Sequence, residues 1–237
     1  MESQKPKIAM YVKRPFGEKL NASFDFLKEN WKLLLRFTTY LLLPLCLIQA
    51  LSLNGLMSGA LSISAIASST AMAASSSSLI AFGSYYGLYM FLYLIGIILL
   101  TSLVYGLIRT YNEREERLQG VTLGMLKPRL FRNIKRLLLM TGACILLVLF
   151  VGIFVGLLVA LTPFTLFLTI PFIIAFSVPL ALLAPIYLFE DITLMEAFKK
   201  TFRLGFATWG GVFLVSLLMG IIANVPVSYT HLTLPTN

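Results

Sequence analysis

Every charged side chain of this 237-residue chain falls in one of three stretches, and the residues between them form apolar runs of bilayer length. A hydrocarbon core about 30 Å thick is crossed by about 20 residues of helix. Five runs meet that requirement, at residues about 33–53, 85–108, 137–161, 164–188 and 209–225. Within hydrocarbon each backbone N–H and C=O has to be satisfied by the protein itself, so each run is expected to be helical. The expected fold is therefore all-α, a multi-pass transmembrane bundle. Composition agrees, with 58% hydrophobic and 12% charged residues, against about 25% charged in soluble domains. Disorder, coiled coil and a disulfide-stapled module are excluded. Cys46 and Cys144 both lie inside apolar runs and read as reduced, small hydrophobes.

Charge also orients the spans. Of the 19 Lys and Arg residues, eight lie in residues 1–36, eight in 109–136 and three in 199–203. The positive-inside rule then puts the N-terminus and both charged loops in the cytoplasm, and the uncharged segments near 54–84 and 161–164 outside. The formal charge of +9 is explained by this flanking pattern and does not call for nucleic acid as a partner. No cleavable signal is visible, so the first span is expected to direct insertion into a bacterial inner membrane. The organisation read from this pattern is a polar cytoplasmic N-terminus over 1–16, one transmembrane domain over 17–226, and a tail over 227–237.

That tail, VSYTHLTLPTN, breaks the preceding composition and holds His231, the one histidine. It resembles a translated sequencing adapter, which implies that it is not native and that the natural protein continues beyond about Val225, with a sixth, returning span. No role is assigned to His231.

Each charged stretch reads as an amphipathic elbow that lies on the membrane and leads into a span. Leu20, Phe24, Leu27 and Trp31 recur at helical spacing in the first. The second sets Leu123, Leu126, Leu130 and Ile134 against Lys127, Arg129, Arg132, Lys135 and Arg136, with Pro128 expected to kink or delay it. In the third, Thr193 and Glu196 form a capping-box pattern and Glu196 precedes Lys200 by four residues. Phe24 to Trp31 repeats as Phe202 to Trp209; the middle copy keeps Phe131 and has Leu138 in place of Trp. Such repetition fits stacked elbow-plus-hairpin units. The expected membrane-interface residues are Phe24, Trp31, Lys127, Arg129, Phe131, Arg132, Lys135, Phe202 and Trp209.

The segments FGEKLNASFDFLKENW and APIYLFEDITLMEAFKKTFRLGFATWGGVF resemble the membrane domain associated with glycerophosphoryl diester phosphodiesterases and with related six-span bacterial inner-membrane proteins. The likeness extends over about residues 17–225. Its sharpest part is Pro185 and Glu190 at the end of a span, Ala197, Thr201 and Phe202 in an elbow, and Trp209 opening the next span. The resemblance implies architecture and carries over no active-site residue, because the family's phosphodiesterase is a separate soluble domain.

Chemistry is sparse. Arg36 and Arg109, one turn inside the first two spans, read as snorkelling cations. No zinc ligand set is available, no base is placed to activate a serine, and Glu113, Glu115 and Glu116, interleaved with Arg114 and Arg117, read as a solvated face. No cofactor is expected. Gln49 is the one amide deep in a run, and Gly152, Gly156 and Ala160 recur as close helix packing requires, within the bundle or across a dimer face. Pro171, Pro179 and Pro185 read as a kink in the fourth span or as a broken helix beside a cavity. The functional expectation is a non-enzymatic membrane module binding anionic lipid or a protein partner through its basic elbows, with a homo-oligomer as a further partner reading. A small-solute transporter or channel, and the anchor of a phosphodiesterase, are the alternatives.

Overall fold

The computed structural model describes residues 7–9, 12–68, 76–162 and 164–233, the side chains of 62–68, 76–79, 223 and 225–233 excepted. Among the described residues there are seven helices and no strand: α1 (Phe16–Ser68), α2 (Ser76–Glu113), α3 (Leu123–Leu161), α4 (Thr165–Leu180), α5 (Leu183–Phe189), α6 (Leu194–Ala207) and α7 (Trp209–Thr233). By length and composition four of the described helical stretches are able to cross a membrane, or five if α6 and α7, which meet at 89°, are taken as one. α3, which contains the most apolar bilayer-length window of the four stretches, leaves Leu146, Val148, Phe150, Phe154 and Leu157 uncovered, a distribution suited to lipid and not to water.

Two of the three expected elbows are not separate elements. Residues 16–36 run into the first span as one helix of 53 residues, about 80 Å long at 1.5 Å per residue. Nothing between Phe16 and Arg36 stops a helix: after Pro15 come Glu, Lys, Leu and Ala, all strong helix formers, and no further proline until Pro44. α3 likewise begins at Leu123 and includes Pro128. That proline, in the second turn, leaves the Gly124 carbonyl without its i+4 donor, and the helix runs through it without a delayed start. The uncharged segment over 54–84 is helical in α1 to Ser68 and in α2 from Ser76; residues 69–75, which include part of the serine run, lie outside the described residues. Of the tail, α7 includes 227–233, and 234–237 lie outside the described residues.

The chain divides into two compact units, residues 1–137 and 138–237. In the first, α1 and α2 pair antiparallel: an added Cβ on Gly96 would lie 3.2 Å from Leu45, on Gly59 3.4 Å from Phe82, and on Gly55 2.6 Å from the Tyr85 ring. Small residues let the two backbones approach, which is how helices associate without a hydrophobic driving force. Farther along, Phe26 and Phe37 of α1 meet Leu103, Leu107 and Tyr111 of α2 in a buried core closed by Leu118, Val121 and Leu126. Ser102 Oγ donates to the Leu130 carbonyl at 3.0 Å, and Asn133 Nδ2 donates to the Ser102 carbonyl at 3.3 Å, which pins the start of α3 to α2.

In the second unit the proline-rich stretch Thr165–Phe189 is one candidate span interrupted by two turn residues, Ala181 and Leu182, whose backbone stays in the right-handed helical region. α4 ends at Leu180 and α5 starts at Leu183, with tight turns closed by Ala181 N to Val178 O and Leu182 N to Pro179 O. Pro179 has no N–H to offer the carbonyl four residues before it, that of Ala175. Trp209 Nε1 donates to that same carbonyl at 3.0 Å. α6 lies on the break through a stripe of small residues. Ala197 is fully buried against Leu183 and Tyr187, Thr201 is fully buried, and a Cβ on Gly205 would stand 2.6 Å from Pro179 Cα. A second stripe, Phe198, Phe202 and Phe206, faces Phe176 of α4, whose ring centroid lies 5.8 Å from Phe202 and 5.5 Å from Phe206 in edge-on geometry.

Two outcomes test this packing. Gly205→Ala drives a methyl into the Pro179 backbone and is expected to lower the thermal unfolding midpoint of the detergent-solubilised protein, by about 1–3 kcal/mol in stability, while Gly210→Ala, with nothing within 4 Å of the new methyl, leaves it unchanged. Trp209→Phe is expected to destabilise by about 1 kcal/mol. In a Pro179→Ala background, where residue 179 regains its N–H, the same substitution is expected to cost measurably less.

Candidate membrane-interface site

The charged end of the first unit is organised around Tyr111, which has no solvent exposure. A buried phenol calls for partners. Its hydroxyl donates to Glu29 Oε2 at 3.2 Å and accepts from the Ile8 backbone N–H at 3.3 Å, while its ring meets Phe26 edge-on at 5.2 Å. The other oxygen of Glu29 takes an ion pair from Arg117 Nη1 at 2.6 Å. Arg117 holds a left-handed backbone, φ 59°, in the loop between α2 and α3. That conformation costs a non-glycine residue about 1 kcal/mol, and the pair to Glu29 offsets it. Lys7 Nζ donates to the carbonyls of Asn112 and Arg114, at 2.8 and 3.1 Å. A cation at the C-terminal end of α2 also complements its dipole.

A second network binds the start of α3 to the end of α2. Glu113 accepts from Arg109 Nε at 3.0 Å and from Arg129 Nη2 in a short ion pair, and Arg129 Nη1 donates to Thr110 Oγ1 at 3.1 Å. Arg109, expected to snorkel, is thus an internal partner of a carboxylate. Glu113 stays exposed while it pairs with both arginines, and Glu116 pairs at 3.0 Å with its neighbour Arg114.

Two open clefts flank Val121 of the loop. One, about 280 Å³, is lined by Thr110, Arg114, Val121, Met125, Leu126 and Arg129. The other, about 240 Å³, is lined by Arg36, Phe37, Tyr40, Val121, Thr122 and Leu123. Neither was legible in the sequence, since each draws residues from segments some 80 positions apart or from a loop with no motif of its own.

The expected interface residues therefore fall into distinct environments. Lys127, Phe131 and Lys135 recur every four residues on α3, and all three are exposed, with Arg132 exposed beside them. Leu126, Asn133 and Leu137 form the buried face. Arg129, from the same segment, is engaged by Glu113. Phe24 and Trp31 are exposed on α1, Trp31 at 54%, with Lys32 Nζ 5.9 Å from its ring centroid. Phe202 and Trp209 of the second unit are instead half-buried, in the aromatic stripe and on the Ala175 carbonyl. The two copies of the Phe-to-Trp spacing do not share an environment: Trp31 lies within α1, and Trp209 opens α7 just after the break at Thr208. Gly152, Gly156 and Ala160 are exposed, and a Cβ on either glycine meets nothing within 4 Å. The close helix packing lies at Gly55, Gly59, Gly96 and Gly205, which spacing alone did not single out.

In the second unit α6 carries the expected capping box. Glu196 N donates to Thr193 Oγ1 at 3.4 Å and Thr193 N donates to Glu196 Oε2 at 3.0 Å. The bond from the Thr193 backbone, with a smaller contribution from its side chain, holds the Glu196 carboxyl below the ordinary carboxylate pKa. Lys200 has its ion pair with Glu190, at 2.5 Å, and so ties α6 to the end of α5. Among the described residues no group of His, Cys, Asp and Glu is placed to hold a metal ion.

Tyr111→Phe removes the hydroxyl that joins Ile8 to Glu29. It is expected to loosen the N-terminal segment by about 1 kcal/mol and so to speed tryptic cleavage at Lys7 or Lys13 by about five-fold, with cleavage within α3 unchanged.

No family model matches the chain, and neither the curated proteins nor the solved structures contain a match to it.

Proposed function

We propose that the chain is an integral, non-enzymatic membrane module of the bacterial inner membrane, with its N-terminus in the cytoplasm, that binds anionic lipid or a protein partner through its basic helix segments. One observation carries it: the exposed stripe Lys127, Phe131 and Lys135 on α3. Its cations have no acidic partner among the described residues, although acidic groups a few residues away are used to pair Arg109, Arg114, Arg117 and Arg129. An aromatic ring between two lysines suits the headgroup level, where apolar burial adds to about 1 kcal/mol per basic residue near an anionic surface. The positive-inside distribution supports the orientation. The membrane-associated phosphodiesterase family, which the chain resembles in its elbow motifs, supports the architecture alone.

A small-solute transporter or channel is the second reading, favoured by the interrupted α4–α5 span. An interruption in a helix at membrane depth is tolerated where it is buried in protein or lines a cavity. Here Trp209 and the small stripe of α6 already occupy the break, which weighs toward a structural role.

The test is reconstitution into phosphatidylcholine vesicles with and without phosphatidylglycerol. Backbone amides of residues 123–136 are expected to gain protection from hydrogen exchange with the anionic lipid, and Lys127→Glu with Lys135→Glu is expected to abolish the gain. Equal protection in the variant would sink the lipid reading. Solute flux that disappears on Gln49→Leu would favour the transporter.

A further inference from the structure

Arg36 stands on the border between charged and uncharged chain. After it, no ionisable acid or base of the Asp, Glu, Lys, Arg or His type occurs until Arg109. If α1 crosses a membrane, that border is the headgroup level, so this inference rests on the membrane reading above. Arg36 is exposed and has no acidic partner among the described residues, unlike Arg109, Arg114, Arg117 and Arg129. It stands at the rim of the cleft of about 240 Å³, whose other walls are Phe37, Tyr40, Val121, Thr122 and Leu123.

The neighbouring cleft across Val121 provides an internal comparison. Its cations, Arg114 and Arg129, are each neutralised by a glutamate. A diffusible anion would have to displace a carboxylate already in place there. The Arg36 cleft is lined by one arginine, one threonine and one tyrosine together with apolar residues, and none of its lining residues is acidic. A planar guanidinium matches a phosphodiester through two parallel hydrogen bonds, and an apolar wall beneath it matches glycerol and the first methylenes of an acyl chain.

We propose that this cleft seats one anionic phospholipid of the surrounding membrane, with its phosphate on Arg36 and the Thr122 hydroxyl and its upper chain along Phe37, Tyr40 and Leu123. The site is distinct from the α3 stripe: it is concave, holds a single molecule and depends on one arginine.

The full chain, delipidated in detergent, is titrated with phosphatidylglycerol or phosphatidylcholine, and retained lipid is counted by native mass spectrometry. One phosphatidylglycerol per chain is expected, preferred over phosphatidylcholine by about five-fold, the equivalent of ~1 kcal/mol for one basic residue. Arg36→Gln is expected to erase the preference, and Lys13→Gln, at an exposed position before α1 and outside the cleft, to leave it intact. Leu123→Trp, which fills the apolar wall and keeps the charge, is expected to lose the retained lipid even if Arg36→Gln proves too unstable to purify. Retention unaltered by Arg36→Gln or by Leu123→Trp, equal binding of the two lipids, or displacement by millimolar inorganic phosphate would each overturn the proposal, the last by pointing to a soluble anion. Failure here with the α3 stripe still responding to phosphatidylglycerol falls on the cleft alone; failure of both falls on the lipid reading itself.

Discussion

A carbonyl surrounded by apolar side chains has only the protein to bond to, and Ala175 is where this chain meets that constraint most directly. Pro179 removes the donor that a continuous helix would have supplied, and the indole N–H of Trp209 takes its place at 3.0 Å. The rest of the second unit is arranged so that the indole reaches its acceptor. α6 has to pass close to the interrupted span, and it does so on Ala197, Thr201 and Gly205, with no side chain larger than threonine in the way. The adjacent stripe of phenylalanines grips Phe176, and the Glu190 to Lys200 pair fixes the far end. Ala197, Thr201 and Trp209 belong to the elements that cover the interruption made at Pro179, while Pro185 lies inside α5.

The first unit applies the same economy to charge. Its carboxylates are spent inward: Glu29 on Tyr111 and Arg117, Glu113 on Arg109 and Arg129. The formal excess of +9 is therefore not spread evenly over the basic residues. Lys127, Lys135 and Arg36 keep their charge for whatever lies outside the fold, while four arginines of the same region serve as internal ties. Salt bridges of this exposed kind contribute little singly. Here they form connected sets that share a carboxylate, and they fix the turn that brings α3 back against α2.

Apolar runs, an all-helical fold and the capping box at Thr193 were legible because each depends on residues close together in the chain. Helix continuity was less so. An amphipathic stretch followed by an apolar one looks like two elements, yet nothing between Phe16 and Arg36 breaks the hydrogen-bond ladder, so α1 is a single helix. The glycines show a different limit. Gly152 and Gly156 have the spacing of a packing face and no neighbour, whereas Gly55, Gly59 and Gly205 face partners dozens of residues away. Spacing reports which residues share a face and is silent on what that face meets. Arg129 was indistinguishable from Lys127 for the same reason: only the fold brings Glu113 alongside it.

The Trp209 to Ala175 bond spans 34 residues, and the ribosome makes the acceptor first. While α4 and α5 are already synthesised, the Ala175 carbonyl waits for a donor that has not yet been added to the chain. The pair α4 and α5 therefore gains this bond only once α6 has been made and α7 has begun. The contact between α4 and the start of α7 is therefore a late event in the making of the chain, after α6 is complete.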